Sequence, residues 1–155
     1  MLEENYRLEF LAPGKHVDVL RLFSKCFKKD LSEDFWKWRF LYNPDNRGIV
    51  ALAYLEGEAA SHYAVSPVIL NAGDAILQTA LSGTTMTHPD HRGRSLFPRL
   101  ASLVYQHLLD TGYSMVWGFP NTQSHRTFTS GLSWVDIHEI PVFQAPANVV
   151  PESSD

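Results

Sequence analysis

The residues best suited to chemistry lie in the segment THPDHRGRSLF, which follows a predicted strand and precedes a strongly amphipathic predicted helix. The first N–H groups of a helix have no partner inside it and carry partial positive charge, so this end attracts anions. Arg92 and Arg94 add full positive charges, and Gly93 between them permits a close backbone approach. The pattern suits a phosphate or pyrophosphate, although two solvated arginines before an ordinary core helix explain it equally well. It is neither a Walker A loop nor a GxGxxG sequence.

The elements that must position this segment alternate between strand and helix. Apolar spacing and turn residues predict strands over 6–11, 48–57, 59–70, 75–86, 113–119 and 134–143, with a hairpin turn over 71–74. They predict helices after Pro13-Gly14, from about Asp30 to Asn43-Pro44, from the end of the basic segment to Gly112, and over 121–130. This order predicts a three-layer α/β domain whose mixed sheet is antiparallel in its N-terminal half and parallel around the long helix.

The second predicted helix carries two of the four tryptophans. Asp30 with Glu33 three residues later resembles a capping box, and Phe35, Trp38 and Tyr42 share one side of the helix. We interpret the tryptophan and phenylalanine residues of this helix as core. Glu33 and Asp34 would attract a cationic amine, although capping explains Glu33 more simply.

Composition narrows the function classes. The chain has 155 residues, 45% of them hydrophobic, which is typical of one compact domain. A net charge of −4 disfavours nucleic-acid binding, and the single cysteine, Cys26, excludes an internal disulfide and a multi-thiolate zinc site. No signal peptide or membrane-spanning run is recognisable, so a cytoplasmic protein is expected. A domain over 1–143 and a proline-rich tail over 144–155 are predicted.

Two segments resemble one enzyme family. THPDHRGRSLFPRL resembles the loop with which GNAT N-acyltransferases bind the pyrophosphate of acyl-CoA, and the predicted order of elements is similar to that fold over about residues 6 to 143. WGFPNTQSHRTFTSGLSW is similar to one GNAT branch whose members often have longer chains. The resemblance implies transfer of an acetyl group from acetyl-CoA to a primary amine on a small molecule or peptide. No metal, nucleic-acid or membrane partner is expected from the sequence.

The resemblance also implies roles for particular residues. Met86 and Thr87 would lie along the pantetheine arm and offer a backbone N–H to the thioester carbonyl, and Asn121 would contact the same arm. The pyrophosphate would be wrapped by the residues Arg92, Gly93, Arg94, Ser95, Leu96 and Phe97.

Several positions depart from the family pattern. Ser95 and Phe97 stand where glycine or alanine is commonest, and Phe128 stands where many members have a tyrosine that protonates the leaving thiolate. Ser124 and His125 are therefore the predicted acids, with His125 the better candidate. Few residues follow Trp134, so the last strand is absent, is supplied by a second copy, or belongs to a longer protein; we favour the longer protein.

The remaining candidates have a plain structural explanation beside the functional one. His62 faces the groove or is a satisfied core histidine, and His88 and His91 touch CoA or are solvated. Thr84 and Thr85 order a water or simply favour a strand. Cys26 is interpreted as a core residue. A degenerate domain that binds acyl-CoA or a protein partner without catalysis is the main alternative, and a nucleotide-phosphate binder is a weaker one.

Overall fold

The computed structural model describes residues 5–43 and 47–141, and its centre is a five-stranded sheet in the order β1-β2-β3-β4-β5. The elements are β1 Arg7–Phe10, α1 His16–Phe27, α2 Glu33–Phe40, β2 Ile49–Leu55, β3 Glu58–Ala72, β4 Ala75–Thr87, α3 Leu96–Asp110 and β5 Met115–Trp117. The first four strands pair antiparallel, and β4 and β5 pair parallel. The predicted mixed α/β sheet is therefore confirmed.

Each face of the sheet is covered by helix. On one face α3 packs Leu100, Ala101 and Val104, all fully buried, against Tyr63 and Val65 of β3. The other face buries residues of α1 and α2 against the same strands, and its cluster contains Val19, Leu22, Trp36, Phe40, Leu52 and Ala64. Alternate residues of β2 and β3 thus contribute to different cores, as the two-residue period of a strand requires.

The boundary and buried face of α2 differ from the expectation. Ser32, not Asp30, caps the helix by accepting a hydrogen bond from the N–H of Phe35 at 3.3 Å. Phe35, Trp38 and Tyr42 are 48%, 62% and 69% exposed, so assigning Phe35 and Trp38 to the core was wrong. Trp36 and Phe40, which are four residues apart, form the buried face instead. Glu33 is paired with Lys37 and His16 and is not part of a capping box.

The chain after β5 also departs from the prediction. β5 ends at Trp117, and the predicted short helix contains a π-helical turn, Thr127–Gly131. No strand forms over 134–141, where Val135, Ile137 and Ile140 are exposed, so the predicted strand is wrong for these residues. Residues 142 and 143 and the predicted tail over 144–155 lie outside the described residues. Within the described part of the chain no helix combines the length and apolarity needed to cross a bilayer.

Candidate active site

A cavity of about 660 Å³ opens where β4 and β5 separate. The two strands pair only over Thr79–Leu81 of β4 and Met115–Trp117 of β5, so the later residues of β4 have no strand on that side. We call this space the β4–β5 cavity. It is lined by Cys26, Phe27, Ser82, Gly83, Thr84, Thr85, Met86, Thr87, Arg92, Phe97, Gly118, Phe119, Pro120, Asn121, Gln123, Ser124, Thr127, Phe128 and Trp134. The structure therefore brings together the predicted residues of three separate segments.

Residues 92–97, which we call the phosphate loop, connect β4 to α3 at one end of this cavity. Gly93 and Ser95 both have left-handed backbone, with φ of +78° and +53°, and a Cβ on Gly93 would meet nothing within 4 Å. The first hydrogen bond that leads into α3 runs from the N–H of Arg99 to the carbonyl of Ser95. The N–H groups of Gly93, Ser95, Leu96 and Phe97 have no partner among the described residues. Four available donors in a tight loop suit a pyrophosphate.

The two arginines of the loop have different surroundings. Arg92 lines the β4–β5 cavity and donates from Nε to the carbonyl oxygen of Thr87 at 3.4 Å. Arg94 donates to the carbonyl oxygen of Asp90 and does not line the cavity. Arg92 is therefore the better placed of the two to meet an anion that enters the cavity.

The histidines beside the loop shape the backbone. His88 precedes the 3₁₀ turn Pro89–His91, and its Nδ1 accepts from the N–H of Asp90 at 3.3 Å. His91 Nδ1 and the buried Tyr6 hydroxyl are hydrogen-bonded at 2.7 Å. Neither histidine lines the β4–β5 cavity, so both serve here to fix the turn that leads into the loop.

A bulge in β4 shapes the cavity wall. His62 of β3 pairs with Met86 and Ala64 with Gly83, so β4 has one extra residue between them. Thr84 adopts a strained left-handed backbone conformation, with φ of +58°. Its carbonyl accepts a 2.7 Å hydrogen bond from Nδ1 of His62. His62 is fully buried, and burial lowers its pKa to about 4, so the ring is neutral at physiological pH. It holds the bulge from behind and does not line the cavity.

The bulge also sets which backbone N–H groups point into the cavity. The N–H of His88 donates to Ala60 of β3 at 2.8 Å, and strand alternation directs the N–H of Met86 the same way. The N–H groups of Thr85 and Thr87 therefore point to the opposite edge, which faces the cavity. Of the predicted pair Met86 and Thr87, it is Thr87 that presents a backbone donor there, and Thr85 presents a second one.

The segment after β5 forms the opposite wall. The Asn121 side-chain oxygen accepts from the N–H groups of Gln123 and Ser124 at 3.1 and 3.0 Å, which stabilises the turn. The Ser124 hydroxyl also bonds to that oxygen at 3.0 Å, and Ser124 lines the cavity. His125 does not line it: its Nε2 is paired with the exposed carboxylate of Asp136 at 2.8 Å. Asn121 and Ser124 thus lie at the cavity, and His125 lies outside its lining.

An aromatic cluster surrounds Phe128. Phe97 stacks on Tyr63 with centroids 5.6 Å apart and meets Phe128 edge-on at 4.9 Å, while Phe128 packs on Trp134. The indole N–H of Trp134 donates to the Tyr105 hydroxyl at 3.0 Å. Phe97 is therefore accommodated by aromatic packing at the start of α3, and Phe128 lines the cavity without a hydroxyl.

Cys26 has a second environment that the sequence did not predict. It packs against the core cluster of α1, yet it also lines the β4–β5 cavity. Burial raises the pKa of its thiol, and the Arg92 charge opposes that shift more weakly. Its position four residues after the buried Leu22 predicts burial, but the sequence offers no sign that this end of α1 reaches the cavity. Nothing in the sequence indicates that Gln123 and Thr127 line the cavity either.

Comparisons with known proteins agree with this geometry. A family model described as an acetyltransferase (GNAT) domain matches residues 7–134. A comparison with curated proteins found no significant match. Among solved structures, an aminoglycoside acetyltransferase from an uncultured soil metagenomic sample is 14% identical, with a TM-score of 0.70 over 93% of this chain and 99% of that one.

Two further similar structures are those of enzymes whose names state other acceptors. Glucosamine-6-phosphate N-acetyltransferase from Arabidopsis thaliana is 11% identical, with a TM-score of 0.69 over 92% of this chain and 99% of that one. Ribosomal-protein-alanine N-acetyltransferase from Brucella melitensis biovar Abortus 2308 is 13% identical, with a TM-score of 0.68 over 90% and 99% of the two chains. At such identities the likeness concerns the fold.

Proposed function

Because the chain belongs to the GNAT acetyltransferase family, we propose that it transfers an acetyl group from acetyl-CoA to a primary amine by direct attack. The observation that carries the proposal is the phosphate loop, whose available N–H groups at Gly93, Ser95, Leu96 and Phe97 lie beside the β4–β5 cavity. The residues present fit the co-substrate, because a polyanion needs such donors and a long flexible arm needs the adjoining channel.

The phosphate loop binds the pyrophosphate through its backbone donors in this proposal. Arg92 adds a charge-assisted hydrogen bond, and Arg94 supports the loop through Asp90. Asn121 keeps its side-chain N–H₂ group for the pantetheine arm, because its oxygen is occupied by the turn. Acetyl-CoA supplies an activated acetyl group, so the chain has only to position that group and stabilise the charge that develops.

The N–H groups of Thr85 and Thr87 provide the stabilisation. A backbone donor aimed at a carbonyl oxygen bonds more strongly as negative charge grows there. The attacking amine must lose a proton, directly or through water, because an alkylamine has a pKa of about 10. Of the two predicted acids, Ser124 is favoured as the hydrogen-bond donor to the leaving thiolate, since it lines the cavity and His125 is paired with Asp136. The proton that the amine loses balances the one that the thiolate takes up.

Calorimetric titration with acetyl-CoA tests the proposal, with dephospho-CoA as a comparison. We expect Arg92→Ala to weaken acetyl-CoA binding by about 1.5–3 kcal/mol, because a charge-assisted hydrogen bond is lost. Arg21→Ala is the control, since that exposed arginine on α1 pairs with Asp18. Turnover should follow a sequential mechanism. A ping-pong pattern with an acyl-enzyme would contradict direct attack, and a folded protein that does not bind acetyl-CoA would contradict the whole proposal.

A catalytically degenerate domain that binds acyl-CoA or a protein partner is the second candidate. The absence of a hydroxyl at Phe128, which lines the cavity, favours it. Both candidates predict acetyl-CoA binding, so release of free CoA in the presence of an amine distinguishes them. Measured turnover with any primary amine would remove this second candidate.

The open edge of β5 motivates a proposal about assembly. No strand pairs with its outer side within residues 5–43 and 47–141, and a groove of about 340 Å³ beside it is lined by Tyr105, Leu109, Tyr113, Ser114, Met115, Val116 and Trp134. We propose that additional C-terminal sequence or a second copy completes the sheet there. Light scattering of this chain and of a longer one would separate the two. A cytoplasmic location remains part of the proposal.

A further inference from the structure

Arg39 is a half-buried cation that has neither a hydrogen-bond partner nor an ion-pair partner among the described residues. It lies near the C-terminal end of α2, and its guanidinium carbon is 5.3 Å from the centre of the Phe40 ring. No carboxylate, carbonyl or hydroxyl of residues 5–43 and 47–141 is hydrogen-bonded to it or ion-paired with it. Burial lowers its pKa, and no neighbouring negative charge offsets that effect. Because charged groups leave water only at a cost, they are usually paired when buried.

The guanidinium lies against the wall of the β4–β5 cavity. The position that a Cβ would occupy on Gly83 collides with Nη2 of Arg39. Gly83 lines the cavity together with Cys26 and Phe27 at the end of α1. Arg39 therefore lies on the α1–α2 side of the sheet, while the phosphate loop leads into α3 on the other side. The absence of a side chain at Gly83 is what allows the guanidinium to approach β4.

The cavity lining contains a positive charge and no carboxylate. None of the residues that line the cavity is aspartate or glutamate, and one lining residue, Arg92, is positively charged. Lys28 is close enough to Cys26 to oppose the rise in the pKa of its thiol. Glu33 of α2, predicted to attract a cation, is occupied by Lys37 at 2.6 Å and His16 at 2.8 Å. A purely cationic amine would find no carboxylate in this lining. Arg39 is not itself a lining residue, but an anionic group that reaches Gly83 would lie next to its guanidinium.

We propose that the acceptor is an amine that also carries an anionic group, a carboxylate or a phosphate, and that Arg39 binds this group at the Gly83 wall. This inference rests on the proposed acetyl transfer and names its class of acceptor. The anion satisfies the guanidinium, and the amine of the same molecule extends into the cavity toward Thr85. A planar guanidinium suits either anion because it can donate two parallel hydrogen bonds.

Matched amine pairs test the proposal. Tyrosine and tyramine differ by a carboxylate, and phosphoethanolamine and ethanolamine differ by a phosphate. We expect kcat/KM to be at least about tenfold higher for the anionic member of one pair, and which pair responds identifies the anion. Arg39→Gln should abolish that preference with the Kd for acetyl-CoA unchanged, and Arg39→Lys should keep part of it. Gly83→Ala should also reduce it, because the new Cβ displaces the guanidinium without removing its charge.

Arg21→Gln is the matched control, since it removes an exposed arginine of α1 and should leave the preference intact. Equal losses for both members of a pair in Arg39→Gln, or a preference that survives the substitution, would overturn the proposal. If acetyl-CoA binds but none of these amines is acetylated, thermal unfolding of the CoA-saturated protein with phosphate or acetate decides. Stabilisation that Arg39→Gln abolishes supports the proposal, and its absence refutes it. Failure to bind acetyl-CoA would instead contradict the proposed function.

Discussion

Mild acid should destabilise the fold through His62, because this ring is fully buried and neutral behind the bulge of β4. Its pKa is about 4 in the folded protein and about 6.5 in an unfolded chain. Below about pH 6.5, the pKa of the unfolded state, the unfolded chain binds a proton that the folded protein does not. The free energy of unfolding therefore decreases as the pH is lowered, until the pH reaches the pKa of the folded state. Between pH 7.5 and pH 5 the linkage amounts to a loss of about 2 kcal/mol.

Urea unfolding at these two pH values measures the loss, and His62→Asn isolates the contribution of this ring. Asparagine can place an amide N–H₂ near the position of Nδ1 and so keep the hydrogen bond to the Thr84 carbonyl, which is 2.7 Å long in the wild type. It does not titrate. The wild type should therefore lose about 2 kcal/mol more than the variant between pH 7.5 and pH 5, whatever the variant costs at neutral pH.

Equal pH dependence in the two proteins would refute the reasoning, since it would mean that His62 takes up a proton as easily in the folded state as in the unfolded one. If His62→Asn does not fold at pH 7.5, NMR titration of the wild-type imidazole gives the same information. A midpoint near 6.5 for that ring would contradict the buried, neutral state.

Three other predictions concern the cavity. Alkylation of Cys26, the only cysteine of the chain, should be slower than that of free cysteine at pH 7.5, because burial raises the pKa of the Cys26 thiol. Acetyl-CoA should slow the alkylation further, and mass spectrometry measures the single adduct. Ser124→Ala should lower kcat about tenfold while His125→Gln changes it less than about twofold, and the reverse order in steady-state assays would favour His125 as the acid. Thr84→Gly should raise the free energy of unfolding by about 1 kcal/mol, measured by urea unfolding, because glycine adopts the positive φ without strain. A destabilised variant would show that the contacts of the Thr84 side chain stabilise the fold by more than the backbone strain destabilises it.

Much of the sheet could be predicted from local pattern. The extended stretches that form β2, β3 and β4, the hairpin turn before Ala75 and the apolar face of α3 depend on neighbouring residues, and each of these predictions was confirmed. The face of α2 was missed because Trp36 and Trp38 are equally apolar in sequence. Only packing against α1 and the sheet decides which of the two is buried.

The strand expected after Trp134 fails for a related reason. Val135, Ile137 and Ile140 have the composition of a strand, but a strand needs a partner for its backbone groups, and over 134–141 none is formed. Composition reports the tendency of a segment, whereas pairing depends on what else lies at the edge of β5.

The sequence by itself determined the donor-rich loop that precedes α3. Gly93 and Arg92 before an amphipathic helix create N–H donors and positive charge wherever that helix lies, because both follow from local backbone geometry. Only the tertiary structure decided what surrounds the β4–β5 cavity. The separation of β4 from β5, the burial that keeps His62 neutral, and the approach of Arg39 to Gly83 all depend on residues distant in sequence. Desolvation and charge pairing are set by such neighbours, and spacing along the chain does not encode them.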